Sequence, residues 1–293
     1  MNTTSVPSIS TAAMLVELSI GTWTGRKLDK SASNDITTQN NAAKGVANVS
    51  KKLLGDCAEL SAVAKFAANS RNVHYALTMP WSDSGLRLLP TTQYFKYHSE
   101  MTHLQTEFAR LTRNFLDAYN WEIQNAQLKL GTLFHADEYP TVESLTNKFR
   151  FGMNYMPLPS AGDFRVAIAD ETAAALASQY EGYYKTQLEA AMKDVWQRAH
   201  DAVSKMSERL DYTDTKKVFR DSLVDNMNEM VELLGACNVT NDPAMREAQH
   251  KLSAALKGVS AEALRENADL RATTKRSVDD VKRIIDNLPG FGF

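Results

Sequence analysis

At 293 residues, with 43% hydrophobic and 23% charged side chains, the chain is long enough for one large or two ordinary domains around a sizeable core. A net charge of -2 gives no bulk attraction for a polyanion, and 13 glycines with 8 prolines are too few for a turn-rich β protein. No apolar run approaches the roughly 18 residues of a membrane span, and the first residues lack the basic-then-apolar order of a signal peptide, so the sequence predicts a cytosolic protein.

Met14 to Ile20 alternates apolar and polar residues and predicts a short strand. From Asn34, Val46, Leu53, Leu60 and Ala67 recur seven apart, with Cys57 and Ala64 on the same stripe. That spacing predicts a helix, kinked near Gly45 and Gly55. Val73, Tyr75 and Leu77 alternate before the turn-forming PWSDSG, and LRLLP follows, which predicts a hairpin or a long ordered loop. Ser99 is placed to cap a helix running to Leu130. Its stripe of Met101, Leu104, Phe108, Leu111, Phe115 and Ala118 then shifts to Tyr119, Ile123, Ala126 and Leu130, and Gly131 ends it. Thr141 starts a short helix.

Phe149 to Met156 and Phe164 to Ile168 alternate as two strands joined by PLPSAGD. Asp170-Glu171 then opens the longest helix, ending near Leu210, with Tyr184, Val195, Ala199 and Val203 on its stripe. Thr213 or Asp214 caps the next helix, and Asp242-Pro243 is a strong start for another. Ser260 with Glu262 begins a last helix that reaches Leu288.

Together these elements predict a mainly α fold: a long antiparallel, coiled-coil-like helical pair (Ser99 to Leu130 against Asp170 to Leu210), a small antiparallel β-sheet and a C-terminal helical region. The expected divisions are a flexible N-terminus at 1–13, an elongated α+β unit at 14–211, the helical region at 212–288 and a tail at 289–293.

Chemistry is sparse. The chain has no GxxxxGK[ST], GxGxxG, GxSxG, HExxH or CxxC, and its six histidines show no ligand spacing. Cys57 and Cys237 lie in apolar helix-like stretches and read as buried free thiols. The sequence therefore points to no catalytic, cofactor-binding or metal-binding residue, and to a non-enzymatic protein. Two features remain. Lys148-Phe149-Arg150-Phe151, with Arg165 on the next strand and Arg87 upstream, alternates bases with aromatics. Such a strand can track phosphates and stack bases, or simply turn its rings inward and its cations outward. The terminal PGFGF presents Phe291 and Phe293, which can fold back on the chain or dock in a partner or a second copy.

Several stretches resemble a family of phages and bacteria known as a domain of unknown function. They are TWTGRKLDKSAS (Thr22 to Ser33), VSKKLL (Val49 to Leu54), YMPLPSAGDFRVAI (Tyr155 to Ile168), VWQRAHDAVSKMSERL (Val195 to Leu210) and FRDSLVDNMNEMVELLGACNVTNDPAM (Phe219 to Met245). Members are often encoded near a MoxR-type AAA ATPase and a von Willebrand A-domain protein. The resemblance implies a phage protein, working in the host cytoplasm through protein–protein contacts or self-association, as an adaptor or accessory of such an ATPase. It supplies no active-site residues. The alternative is a single-stranded nucleic-acid-binding protein of phage replication or recombination.

Overall fold

The computed structural model describes residues 9–158, 170–211 and 222–288. It is mainly helical with a small antiparallel sheet. In chain order the regular elements are β1 (Ala13–Gly21), β2 (Arg26–Asp29), α1 (Lys30–Gln39), β3 (Val49–Lys52), α2 (Ala58–Leu77), β4 (Met79–Pro80), β5 (Arg87–Pro90), α3 (Tyr94–Leu130), α4 (Val142–Thr146), β6 (Arg150–Pro157), α5 (Asp170–Leu210), α6 (Ser222–Cys237), α7 (Pro243–Leu256), α8 (Ala261–Glu266) and α9 (Ala268–Asp286). Strand order in the sheet is β4-β5-β1-β6. β1 and β5 run antiparallel with Val16 opposite Arg87, and β2 pairs antiparallel with β3 as a separate ribbon.

The helix expected from Asn34 onward is instead α1, β3 and α2. The cause lies in the backbone: Asn41, Gly45 and Gly55 all adopt positive φ (51°, 87° and 60°), which a helix cannot continue through. The alternation at Val73, Tyr75 and Leu77 belongs to α2, which runs on to Leu77, and only the hairpin of β4 and β5 follows it. The last expected helix is two, because Asn267 is extended (φ -111°, ψ 104°) and its side chain caps α9 through the Leu270 N–H. α3 begins at Tyr94, so Ser99, expected to cap it, lies inside the helix. Three other expected signals hold. Gly131 (φ 52°) ends α3, Thr141 caps α4 through the Ser144 N–H, and Asp242 caps α7 ahead of Pro243. The strand expected at Phe164 to Ile168, the cap at Thr213 or Asp214 and the PGFGF tail lie outside the described residues.

The chain forms two compact units. The terminal unit comprises the chain up to Glu17, Ala76–Phe95 and the chain from Tyr155 onward; the medial unit comprises Leu18–Tyr75 and Lys96–Asn154. In the terminal unit, α5 buries Val195, Trp196, Ala199, Val203 and Met206 in one core with Val224 and Met227 of α6, Leu252 of α7 and Val278, Val281 and Ile285 of α9. α5 and the C-terminal helices thus share a unit. Arg198 of α5 donates to the carbonyls of Ala76 and Thr78, at 3.0 Å each, fixing the helix beside β4. In the medial unit, Phe108, Phe115, Tyr119 and Ala126 of α3 pack with Leu54, Cys57, Val63, Ala67 and Leu145. Leu111 of the same helix packs, partly buried, against this cluster. Periodicity told that each stripe needs cover, but not which cover it finds.

Candidate functional site

Of the four cations expected to mark a nucleic-acid face, three are described. Arg87 is engaged within the terminal unit: its Nε donates to Thr78 Oγ1 at 2.8 Å and its Nη2 to the Thr78 carbonyl at 2.9 Å. Lys148 and Arg150 stand exposed on the medial unit, where a Cβ on Gly21 would come within 2.9 Å of the Lys148 carbonyl. Arg165, like Phe291 and Phe293, lies outside the described residues. The two rings that alternate with these cations face inward: Phe149 meets Phe115 with centroids 5.7 Å apart, and Phe151 meets Phe108 at 5.6 Å. Of the two arrangements open to this strand, it adopts rings in and cations out.

Sequence reading passed over a buried ionic group. β3 turns Lys51 inward, where its Nζ donates to the Leu133 carbonyl at 2.8 Å and stands 2.7 Å from Glu138 Oε2 and 3.3 Å from Asp29 Oδ2. Asp29 also caps α1, accepting from the Ala32 N–H at 3.0 Å. That bond, opposed by burial and helped by Lys51, holds the Asp29 carboxyl below the usual carboxylate range. For Lys51, burial works against the charge, but Glu138 and Asp29 outweigh it and hold the ammonium above its ordinary value. Lys51 thus forms ion pairs with both carboxylates, and the arrangement anchors the β2–β3 ribbon.

A second buried group is not matched. Leu53-Leu54-Gly55-Asp56-Cys57 leaves β3, turns at Gly55 and delivers Cys57 to the start of α2. There the Cys57 carbonyl accepts the Ser61 N–H at 3.1 Å, and its Sγ accepts the Leu60 N–H at 3.5 Å, as a cap does. Glu59 sits in the first turn, a favourable place for a carboxylate. Its Oε2 is 3.6 Å from Cys57 Sγ. Facing both is Glu122 of α3, only 5% exposed, whose Oε2 is buried without a hydrogen-bond partner. The ligand atoms of Cys57, Glu59 and Glu122 all lie within 4.8 Å of one another. Burial pushes the Cys57 thiol up; the Leu60 N–H opposes this and the two carboxylates add to it. The other cysteine, Cys237, is also free, and burial in the terminal unit pushes it up to about 12. The signal that could have found the first group is Glu122 itself. It falls three residues after Tyr119 and four before Ala126, on the apolar stripe of α3, where a carboxylate has no packing reason to be.

The opposite side of α3 carries a third feature. Trp121 is 60% exposed and Leu128 84% exposed. They are seven residues apart, hence on one helical face, with the uncharged Gln124 and Asn125 between them. Among the described residues no helix is long and apolar enough to cross a membrane. No protein-family model, curated protein or solved structure matches the chain.

Proposed function

We propose that this is a non-enzymatic protein that works by contact with other proteins, and that the Trp121–Leu128 face of α3 is its contact surface. The observation that carries the reading is the division of α3. The same helix that buries Phe108, Phe115 and Tyr119 holds a tryptophan and a leucine in water one heptad apart. Single exposed apolar side chains are ordinary, but a Trp and a Leu paired on one face with only uncharged Gln124 and Asn125 between them is the composition of an interface anchor. The resemblance to a phage and bacterial family encoded near MoxR-type AAA ATPases and von Willebrand A-domain proteins supplies the partner class: an accessory or adaptor of that ATPase, in the host cytoplasm. Nucleic-acid binding is the weaker reading, because Phe149 and Phe151 face the core and leave only Lys148 and Arg150 outward on that strand.

Titration calorimetry of the chain against a MoxR-type ATPase encoded beside a member of this family tests the reading. Saturable binding that Leu128→Glu weakens at least tenfold is the expected result. Binding unaffected by that substitution, or none at all with sedimentation showing no self-association either, overturns it.

A further inference from the structure

We propose that Cys57, Glu59 and Glu122 form a binding site for a thiophilic divalent cation, zinc or a close analogue, that ties the start of α2 to α3. Three observations converge on it. The first is composition: one sulfur and two carboxylates, all able to carry negative charge, come within 4.8 Å of one another. The second is the unmatched oxygen. Glu122 Oε2 is buried and has no hydrogen-bond partner, although an unpaired buried carboxylate oxygen is costly enough that native structures rarely keep one. The third is spacing. With zinc bonds of about 2.3 Å to sulfur and about 2.0–2.2 Å to oxygen, a tetrahedral sulfur–oxygen edge is about 3.5 Å, and Cys57 Sγ stands 3.6 Å from Glu59 Oε2.

The donor set selects among cations. Magnesium and calcium want six or more oxygens, whereas a thiolate beside carboxylates suits zinc, cobalt or ferrous iron. Three protein ligands leave one position for water. Apolar surroundings favour a bound ion, and Cys57 belongs to a hydrophobic cluster against which Leu60, Ile123 and Leu130 pack. On binding, the Cys57 S–H bond breaks, the sulfur–metal bond forms and the proton leaves to solvent, with no change of oxidation state. The neighbouring Lys51 group differs in kind: there a built-in ammonium already sits between the two carboxylates.

The test uses the full chain without a tag, stripped with a chelator and dialysed, then titrated with Zn²⁺ and separately with Co²⁺. The expected result is one equivalent bound and, for cobalt, a thiolate-to-metal charge-transfer band in the near ultraviolet. Cys57→Ser should abolish that band and Cys237→Ser should leave it. Glu122→Gln should weaken binding by roughly tenfold or more. Glu59→Gln, at a half-buried position, provides the same comparison if Glu122→Gln does not fold. The proposal is overturned by failure to take up a saturable equivalent, by a cobalt band that survives Cys57→Ser, or by glutamine variants that bind as the parent does.

Discussion

The ring of Phe149 meets that of Phe115 edge-on, with centroids 5.7 Å apart, and this contact decides what β6 can do. A ring held against a fully buried phenylalanine belongs to the core of the medial unit and is not a platform for bases. Phe115→Ala should cost about 3–5 kcal/mol, the range for removing a buried aromatic side chain, read as a lowered urea midpoint. Lys148 and Arg150 can neutralise two phosphates at most. Single-stranded oligonucleotides should therefore bind weakly, with log affinity falling against log salt no more steeply than about -1.4. A steeper slope would show a larger basic surface and revive the nucleic-acid reading.

Lys51 gives a prediction with a sign. Asp29 is held below its ordinary value, so its contribution to stability is present above the unfolded carboxylate range and is lost as pH falls through the folded value. Lys51 is held above its ordinary value, so its contribution is present at neutral pH and is lost only as pH rises beyond the ordinary lysine value. Lys51→Met removes the partner of both carboxylates. The variant should unfold at lower urea than the parent at neutral pH. Its further loss of stability on acidification should be smaller but not zero, because the Ala32 N–H still holds Asp29. Parallel acid profiles for parent and variant would mean that the lysine contributes nothing through Asp29.

The NVTNDP turn is held twice over. Asn238 accepts the Asp242 N–H at 2.7 Å and donates to its carbonyl at 2.9 Å, while Asp242 accepts the Ala244 N–H at 2.8 Å. Asp242→Ala keeps Pro243 and removes the cap, so it should cost about 1 kcal/mol. Asn238→Ala should cost a similar amount, and the pair should be less than additive because the two side chains order one turn. Strict additivity, measured by a double-mutant cycle, would mean that the turn forms without them.

Several local start and stop signals were legible, though the start of α3 at Tyr94 and the Asn267 cap were not. Asp242-Pro243, Thr141 and Gly131 each act within a few residues, and the structure puts them where the sequence does. Partner choice was not legible. Phe108 and Val203 both announce a buried stripe, yet one lies with Leu54 and Phe151 and the other with the α6, α7 and α9 side chains. The Cys57 group was hidden for the same reason. Its members come from residues 57, 59 and 122, and only the fold brings the third to the first two. One local clue did exist, a glutamate on an apolar stripe.

The central claim is that α3 divides itself between a core face and a contact face. Thermal unfolding and sedimentation velocity, run on the same preparation of a Trp121→Ser, Leu128→Glu variant with and without the ATPase, test it most directly. The predicted result is a melting temperature within a degree or two of the parent, since both side chains lie largely in water, together with loss of the complex or of self-association. A melting temperature lowered by several degrees with association unchanged would contradict the claim, and would make that face part of the fold.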